Sequence, residues 1–406
     1  RRTCRFIGNR KHPATTTKGH VFMNGRERIA AAFAHRESDR VPIFEQSVAS
    51  DVASEILGRE AFTATTYLHY QEADAWMRGE AAHAEFERCL KRDVVDLARA
   101  LHFDMLHPPW RHPEKPTERL GPYEFLYGDP EGDAYVMRFD PDARTFQVCE
   151  RRYTSPPPSE PDDLEPVVAE AERNAEEFCL PDPAAAYPWR AEMIEQYGEE
   201  KEVTGGVGLA IPLEPVWLMA CIERPDLVGR WLDARLRCAM RELEAQAKLG
   251  LRVIWGGGDL ADNRGPVYGP RVFREIVLPR VRRLCERCHE LEQVYVYRTD
   301  GNLWSIEDEF FRESGADGYG EIDHAAGMDM ERLKARHGDR MTFWGNVPCG
   351  TVLHHGTPGE VAEFTSRFVE IAAPGGGFIL GSSNSILPGT PAENVLAMIE
   401  TALKSG

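Results

Sequence analysis

Five short apolar runs in the last third of this chain each stop at side chains able to do chemistry. Leu251–Trp255 runs into Asp259, Asp262 and Asn263, and Gln293–Tyr297 into Arg298, Asp300 and Asn302. Ala316–Tyr319 leads to Glu321, Asp323 and His324, Met341–Trp344 to Asn346, and Gly376–Leu380 to Ser382, Ser383 and Asn384. Carboxylates beside a histidine suit general acid–base work, because imidazole titrates near neutrality. Asp300, Glu321 and Asp323 are the candidate catalytic carboxylates, with His324 beside them. Arg298 offers a planar clamp for a substrate carboxylate, or an internal partner for Asp300. Asp259 and Asp262 are close enough to repel, so one keeps its proton or both share a cation; Asp262 also reads as a turn residue. Asn346, after Phe343-Trp344-Gly345, would set an amide against an aromatic wall, and Asn302, Asn263, Ser383 and Asn384 add polar contacts for a substrate.

Bringing five such ends to one place needs a repeating element. Each run is followed by a helix-length amphipathic stretch, which predicts parallel βα units, and in a parallel barrel the strand C-termini form the active face. The expected fold is a distorted α/β TIM (β/α)8 barrel. Asn24 is placed to cap a helix over Arg26–His35, Arg40–Glu45 reads as a first buried strand, and His102–Leu106 as the end of a second. His107–Pro116 is a proline-rich loop. Residues 123–153 alternate around turn signals and predict a small antiparallel insertion, and Pro156–Pro166 a connector or lid. Glycines at 205, 206, 208 and 256–258 imply tight turns or a backbone lying close to a ligand.

Composition bounds the function. No apolar run approaches the roughly 20 residues that span a bilayer. A net charge of −18 opposes binding to nucleic acid or an anionic membrane surface. Nine cysteines without framework spacing suit a reducing, cytoplasmic setting. Residues 1–22 carry six Lys/Arg and no acid, and read as a disordered leader or non-native segment ahead of one domain over 23–406.

Longer motifs now become legible. Met23-Asn-Gly-Arg-Glu-Arg-Ile with His35-Arg-Glu-Ser-Asp-Arg-Val-Pro-Ile43 resembles the opening of the uroporphyrinogen decarboxylase superfamily. Gly345-Asn-Val-Pro-Cys-Gly, Gly356-Thr-Pro-Gly-Glu-Val361 and Ala373-Pro-Gly-Gly-Gly-Phe-Ile-Leu-Gly381 extend the resemblance toward the C-terminus. It implies a TIM barrel with a deep cleft, in a superfamily of tetrapyrrole decarboxylases and cobamide-dependent methyltransferases. Phe103-Asp104-Met-Leu106 resembles the decarboxylase element whose aspartate meets pyrrole N–H groups, making Asp104 a candidate substrate contact. The paired arginines that such an enzyme places after its first strand have no counterpart in Glu45-Gln-Ser-Val-Ala-Ser-Asp-Val. A buried propionate would lack its cation there.

The zinc methyltransferases of the superfamily use His-x-Cys and a later Cys. The matching positions are Arg298-Thr299-Asp300 and Ser383–Asn384, and no zinc is expected because arginine cannot ligate it. No Asp-x-His-x-x-Gly corrinoid signature is present, so a corrinoid would come free or on a partner protein. Cys285-Glu-Arg-Cys288-His289 matches a c-type haem attachment site, yet it falls in an amphipathic helix and no haem is expected. The resemblance also makes a homodimer an expectation. The leading expectation is a corrinoid-dependent methyltransferase or demethylase acting on a small methylated substrate. The alternatives are a decarboxylase or lyase with Arg298 as anion clamp, and a non-catalytic barrel that binds a tetrapyrrole or small ligand.

Overall fold

A computed structural model describes residues 22–405; the expectation for the leader segment falls almost wholly outside them. Seven parallel strands form one curled sheet in the order Met105–Leu106, Glu202–Gly206, Val253–Gly257, Val294–Arg298, Gly318–Gly320, Thr342–Val347, Phe378–Ser382. An eighth segment closes it. Phe44 N–H donates to Leu380 O and Leu380 N–H to Pro42 O, while Asp104 N–H donates to Ile43 O on the other side. Segment 42–44 therefore joins the last strand to the strand at 105–106, and the sheet becomes an eight-membered barrel. All five expected C-terminal strands are present, each ending one to three residues beyond its apolar run.

Side chains two apart along a strand share a face, so inward positions stack in layers. Val253, Val296 and Thr342 line the lower interior; Trp255, Arg298 and Trp344 stand two residues further on. Phe44, Trp255 and Trp344 form an aromatic plug, with ring centroids 5.2 to 5.9 Å apart. This plug is the floor beneath the mouth.

Local signals fix the outer helices. Asn24 accepts from Glu27 N–H and Glu27 reaches back to Asn24 N–H, a capping box that starts Gly25–Phe33. Thr357 and Glu360 do the same for Pro358–Ala372. The predicted insertion is a four-stranded antiparallel sheet of Glu118–Arg119, Glu124–Gly128, Ala134–Asp140 and Thr145–Arg152. It packs on the helix Thr65–Arg78, where Tyr70 stacks on Phe139 at 4.1 Å. Pro156–Pro166 is only partly a connector, because the helix Leu164–Glu177 begins within it. No helix of the described residues is long and apolar enough to cross a membrane.

Two expectations are corrected here. Asp104 precedes its strand and so lies at the N-terminal end of the barrel, opposite the mouth. Its side chain is 2 % exposed and accepts from Arg28, from Arg40 at 2.7 and 2.9 Å, and from Ile43 N–H at 2.8 Å. It ties the first strand to the second and is not placed to meet a substrate. The glycine at 256 serves a close approach, but to the protein itself: a Cβ there would lie 1.8 Å from Val207 O.

Candidate active site

The strand Val294–Arg298 aims Arg298 inward over the plug. Its guanidinium carbon lies 4.5 Å from the centre of the Trp255 ring and 5.8 Å from that of Trp344. A cation over an indole face is attracted to the ring electrons. Arg298 pairs with Glu321 instead of its expected partner Asp300. Its Nε–H is buried without a partner among the described residues. Glu321, one residue past the next strand, adopts φ +65°, a conformation that costs a residue with a Cβ about 1 kcal/mol or more.

Asp300 is the most perturbed carboxyl of the expected set. Burial and the neighbouring Glu321 push it up to about 7, against the hydrogen bond it accepts from Asn384 Nδ2 at 2.8 Å. At neutral pH it is therefore divided between acid and carboxylate. Asp259, Asp300 and Glu321 each offer an oxygen within 4.8 Å of the others. Three oxygens at that spacing could hold a hard cation such as magnesium, calcium or manganese, with Arg298 competing for Glu321.

Gln46, which sequence reasoning passed over, joins the cluster. Its Nε2 donates to Glu321 Oε1 at 3.1 Å and to Asn384 Oδ1 at 3.0 Å. Asn384 and Gln46 thus bridge Asp300 and Glu321 across four strand ends. Glu45 beside it is also new: it is 4 % exposed, and burial pushes its carboxyl up to about 8 although Ser382 N–H and Oγ both bond to it. His107 is the third addition. Its Nδ1 meets Thr204 Oγ1 at 3.0 Å, its ring stands edge-on to Trp255 at 4.1 Å, and burial holds it well below its usual range. Each of the three follows a short barrel strand, and that position was the available signal.

The remaining expected residues are dispersed. Asp262 turns away from Asp259 into its own hairpin, accepting from Arg264 and Gly265 N–H groups that hold its carboxyl below the usual range; Asn263 is exposed beside it. Asn302 clips two loops together through Ala326 O and Trp304 N–H. Asp323 accepts from Ala326 N–H, and His324 is exposed with its ring edge against Phe364 and Phe368. Asn346 is buried, donating to Ile322 O. Ser383 bonds to Cys349 N–H and Sγ. In the haem-like motif Cys285 and Cys288 are buried, and His289 pairs with Asp317.

Fold and site together define an α/β barrel with a carboxylate cluster at the C-terminal mouth. Residues 215–404 match the family model for uroporphyrinogen decarboxylase (URO-D). A uroporphyrinogen decarboxylase of Azoarcus sp. (strain BH72) is 24 % identical over 247 residues, 55 % of this chain and 65 % of that protein. One from Coxiella burnetii (strain Dugway 5J108-111) is 24 % identical over 183 residues, 44 % of this chain and 47 % of its own. The chain thus spans less than two thirds of the length of either relative. A methyltransferase from Methanosarcina mazei shares the fold at a TM-score of 0.61 and 18 % identity, covering 94 % of this chain and 99 % of its own. Residues 215–404 thus resemble the uroporphyrinogen decarboxylase family, and the chain shares its fold with the Methanosarcina mazei protein.

Proposed function

We propose that the protein moves a methyl group from a small methylated substrate to a corrinoid, with Asp300 as the acid that protonates the leaving group. The observation that carries this reading is Asp300 itself, a carboxyl at about 7 held by Asn384 at the barrel mouth. A general acid works best when its pKa lies near the working pH. In a demethylation the bond from methyl carbon to substrate oxygen breaks, its electron pair stays on oxygen, and that oxygen takes the Asp300 proton. Gln46 and Asn384 hold Asp300 and Glu321 apart in fixed orientations, and Trp255, Trp344 and Phe44 keep water from below. A corrinoid, when bound, supplies the group that accepts the methyl. Leu213, Val267 and Leu387, on loops after three strand ends, are each 38 to 42 % exposed and would offer it apolar contacts. The corrinoid would arrive free or on a partner protein.

The test is to incubate the protein with reduced cobalamin and a panel of methoxylated and methylated small molecules, following the absorbance change on methylation. Transfer from any donor, lost in Asp300→Asn, supports the reading. Silence across the panel together with absent cobalamin binding overturns it.

A carboxy-lyase is the second reading, favoured by the names of the two relatives and by Arg298 as a possible anion clamp. Against it, Glu321 already holds that guanidinium, and the surrounding carboxylates would repel a polyanionic substrate. Carbon dioxide release from a carboxylated substrate would decide for it.

A further inference from the structure

Pairing between the strands Met105–Leu106 and Glu202–Gly206 stops early, for a reason written in the sequence. Glu202 N–H donates to Asp104 O, and the pairs Met105↔Glu202 and Leu106↔Val203 set the register. Carried on, this parallel ladder would run from the N–H of residue 108 to Thr204 O. Residue 108 is proline and has no N–H to give. Arg190 takes its place, donating from Nε to Thr204 O at 3.0 Å. Arg190 stands in the first turn of the helix Pro188–Tyr197, which leads back into the strand Glu202–Gly206. Its guanidinium is thus set into the barrel rim at the C-terminal end of the strands. His107, bonded to the same Thr204, lies close enough to both Arg190 and Arg298 for each to disfavour its charged form. The two arginines therefore flank one mouth.

Arg298 has a carboxylate partner in Glu321, and Arg190 has none. Its two Nη groups make no hydrogen bond among the described residues, yet they are not sealed from solvent. Burial pushes the Arg190 pKa down; only the Tyr187 phenol opposes this, and no carboxylate does. Every other described arginine without an acidic partner is exposed, apart from Arg241, which bonds to Ala175 O and Phe178 O. A partly buried cation without a counter-charge loses hydration for nothing in return, and the dipole of the helix start disfavours it further. An anion on the Nη groups would remove both costs.

We infer that Arg190 is the anion clamp of the mouth, and that its two free Nη groups receive the single carboxylate of a small substrate. The planar fork matches two carboxylate oxygens. One negative charge is the limit, because Asp259, Asp300 and Glu321 stand together at the same mouth and repel a second. The inference names a substrate class for the site proposed above; it rests on the mouth as that site and not on methyl transfer.

The test is binding to the full chain without corrinoid, read by saturation-transfer NMR on the methyl protons of methoxyacetate, its neutral isostere 2-methoxyacetamide, and methyl phosphate. Methoxyacetate should reach half-saturation at a concentration at least about tenfold below that of the amide, as expected for hydrogen bonds between charged groups. Arg190→Gln should abolish that preference and leave binding of the amide unchanged. If circular dichroism shows Arg190→Gln to be unfolded, Arg190→Lys, which keeps the charge and loses the fork, should diminish the preference. Equal binding of acid and amide by the wild type would overturn the inference. So would a preference undiminished in the Arg190 variant, a preference lost in Arg298→Gln but kept in Arg190→Gln, or tighter binding of methyl phosphate than of methoxyacetate. Since no transfer is measured, a missing preference counts against the carboxylate class alone, and silence in the corrinoid assay leaves that class standing.

Discussion

Asp300 and Glu45 are two carboxyls raised mainly by burial, with different consequences because only one stands in the open mouth. If Asp300 acts as a proton donor, its neutral form is the active one. Methyl transfer should then be flat below about pH 7 and fall about tenfold per unit above it, in a pH profile of kcat/KM. Asp300→Asn should lower the rate by about 100-fold or more and remove that limb. Glu45 bears on stability. Its folded-state pKa of about 8 lies above the ordinary 4.5, so the folded state binds the extra proton, and stability is lost as pH rises from about 4.5 through 8. Glu45→Gln mimics the protonated acid: its amide can accept from Ser382 N–H and donate to Ser382 Oγ, which already bonds to Asn384 O. The variant should match the wild-type Tm at pH 4 to 5 and exceed it by several degrees at pH 9, read by thermal unfolding. Asp300 and Glu321 were legible in the sequence because each follows an apolar run closely. Glu45, Gln46 and His107 were not, because their strands are two or three residues long and leave almost no periodic trace.

Strands and helices were the most legible level. Buried parallel strands are continuous apolar runs and their helices are amphipathic at 3.6 spacing, so both can be read one segment at a time. The close packing between strands could not be read that way. Gly256 looked like a turn residue, yet it sits in the strand Val253–Gly257 where a Cβ would strike Val207 O and lie 2.7 Å from Tyr295 Oη. These are backbone and buried neighbours that cannot swing aside. Gly256→Ala should therefore destabilise by about 3 kcal/mol in urea unfolding, at the top of the usual range for overpacking a core. Asp262 shows the same limit on the site side. Proximity in sequence put it with Asp259, but the hairpin at 261–266 turns it outward onto Arg264.

For the whole molecule, closure of the barrel rests on a segment that makes only isolated bridges, and Asp104 holds it. Removing one partner from a buried, multiply bonded ion cluster leaves uncompensated charge. Asp104→Ala should lower the unfolding free energy by about 3–5 kcal/mol in urea, while the folded protein keeps its ligand affinities, because Asp104 lies at the end of the barrel away from the mouth. By itself the sequence determined the α/β class, the five C-terminal strands, the antiparallel insertion, the resemblance to the uroporphyrinogen decarboxylase family, and the carboxylates Asp300 and Glu321, since each depends on local periodicity or a contiguous motif. Only the tertiary structure decided which of those residues meet. It put Arg298 on Glu321 and the two tryptophans, brought Gln46 and Asn384 together from opposite ends of the chain, and sent Asp104 to the far face. Barrel closure sets those distances, and it depends on pairing between segments more than 300 residues apart, which no local pattern encodes.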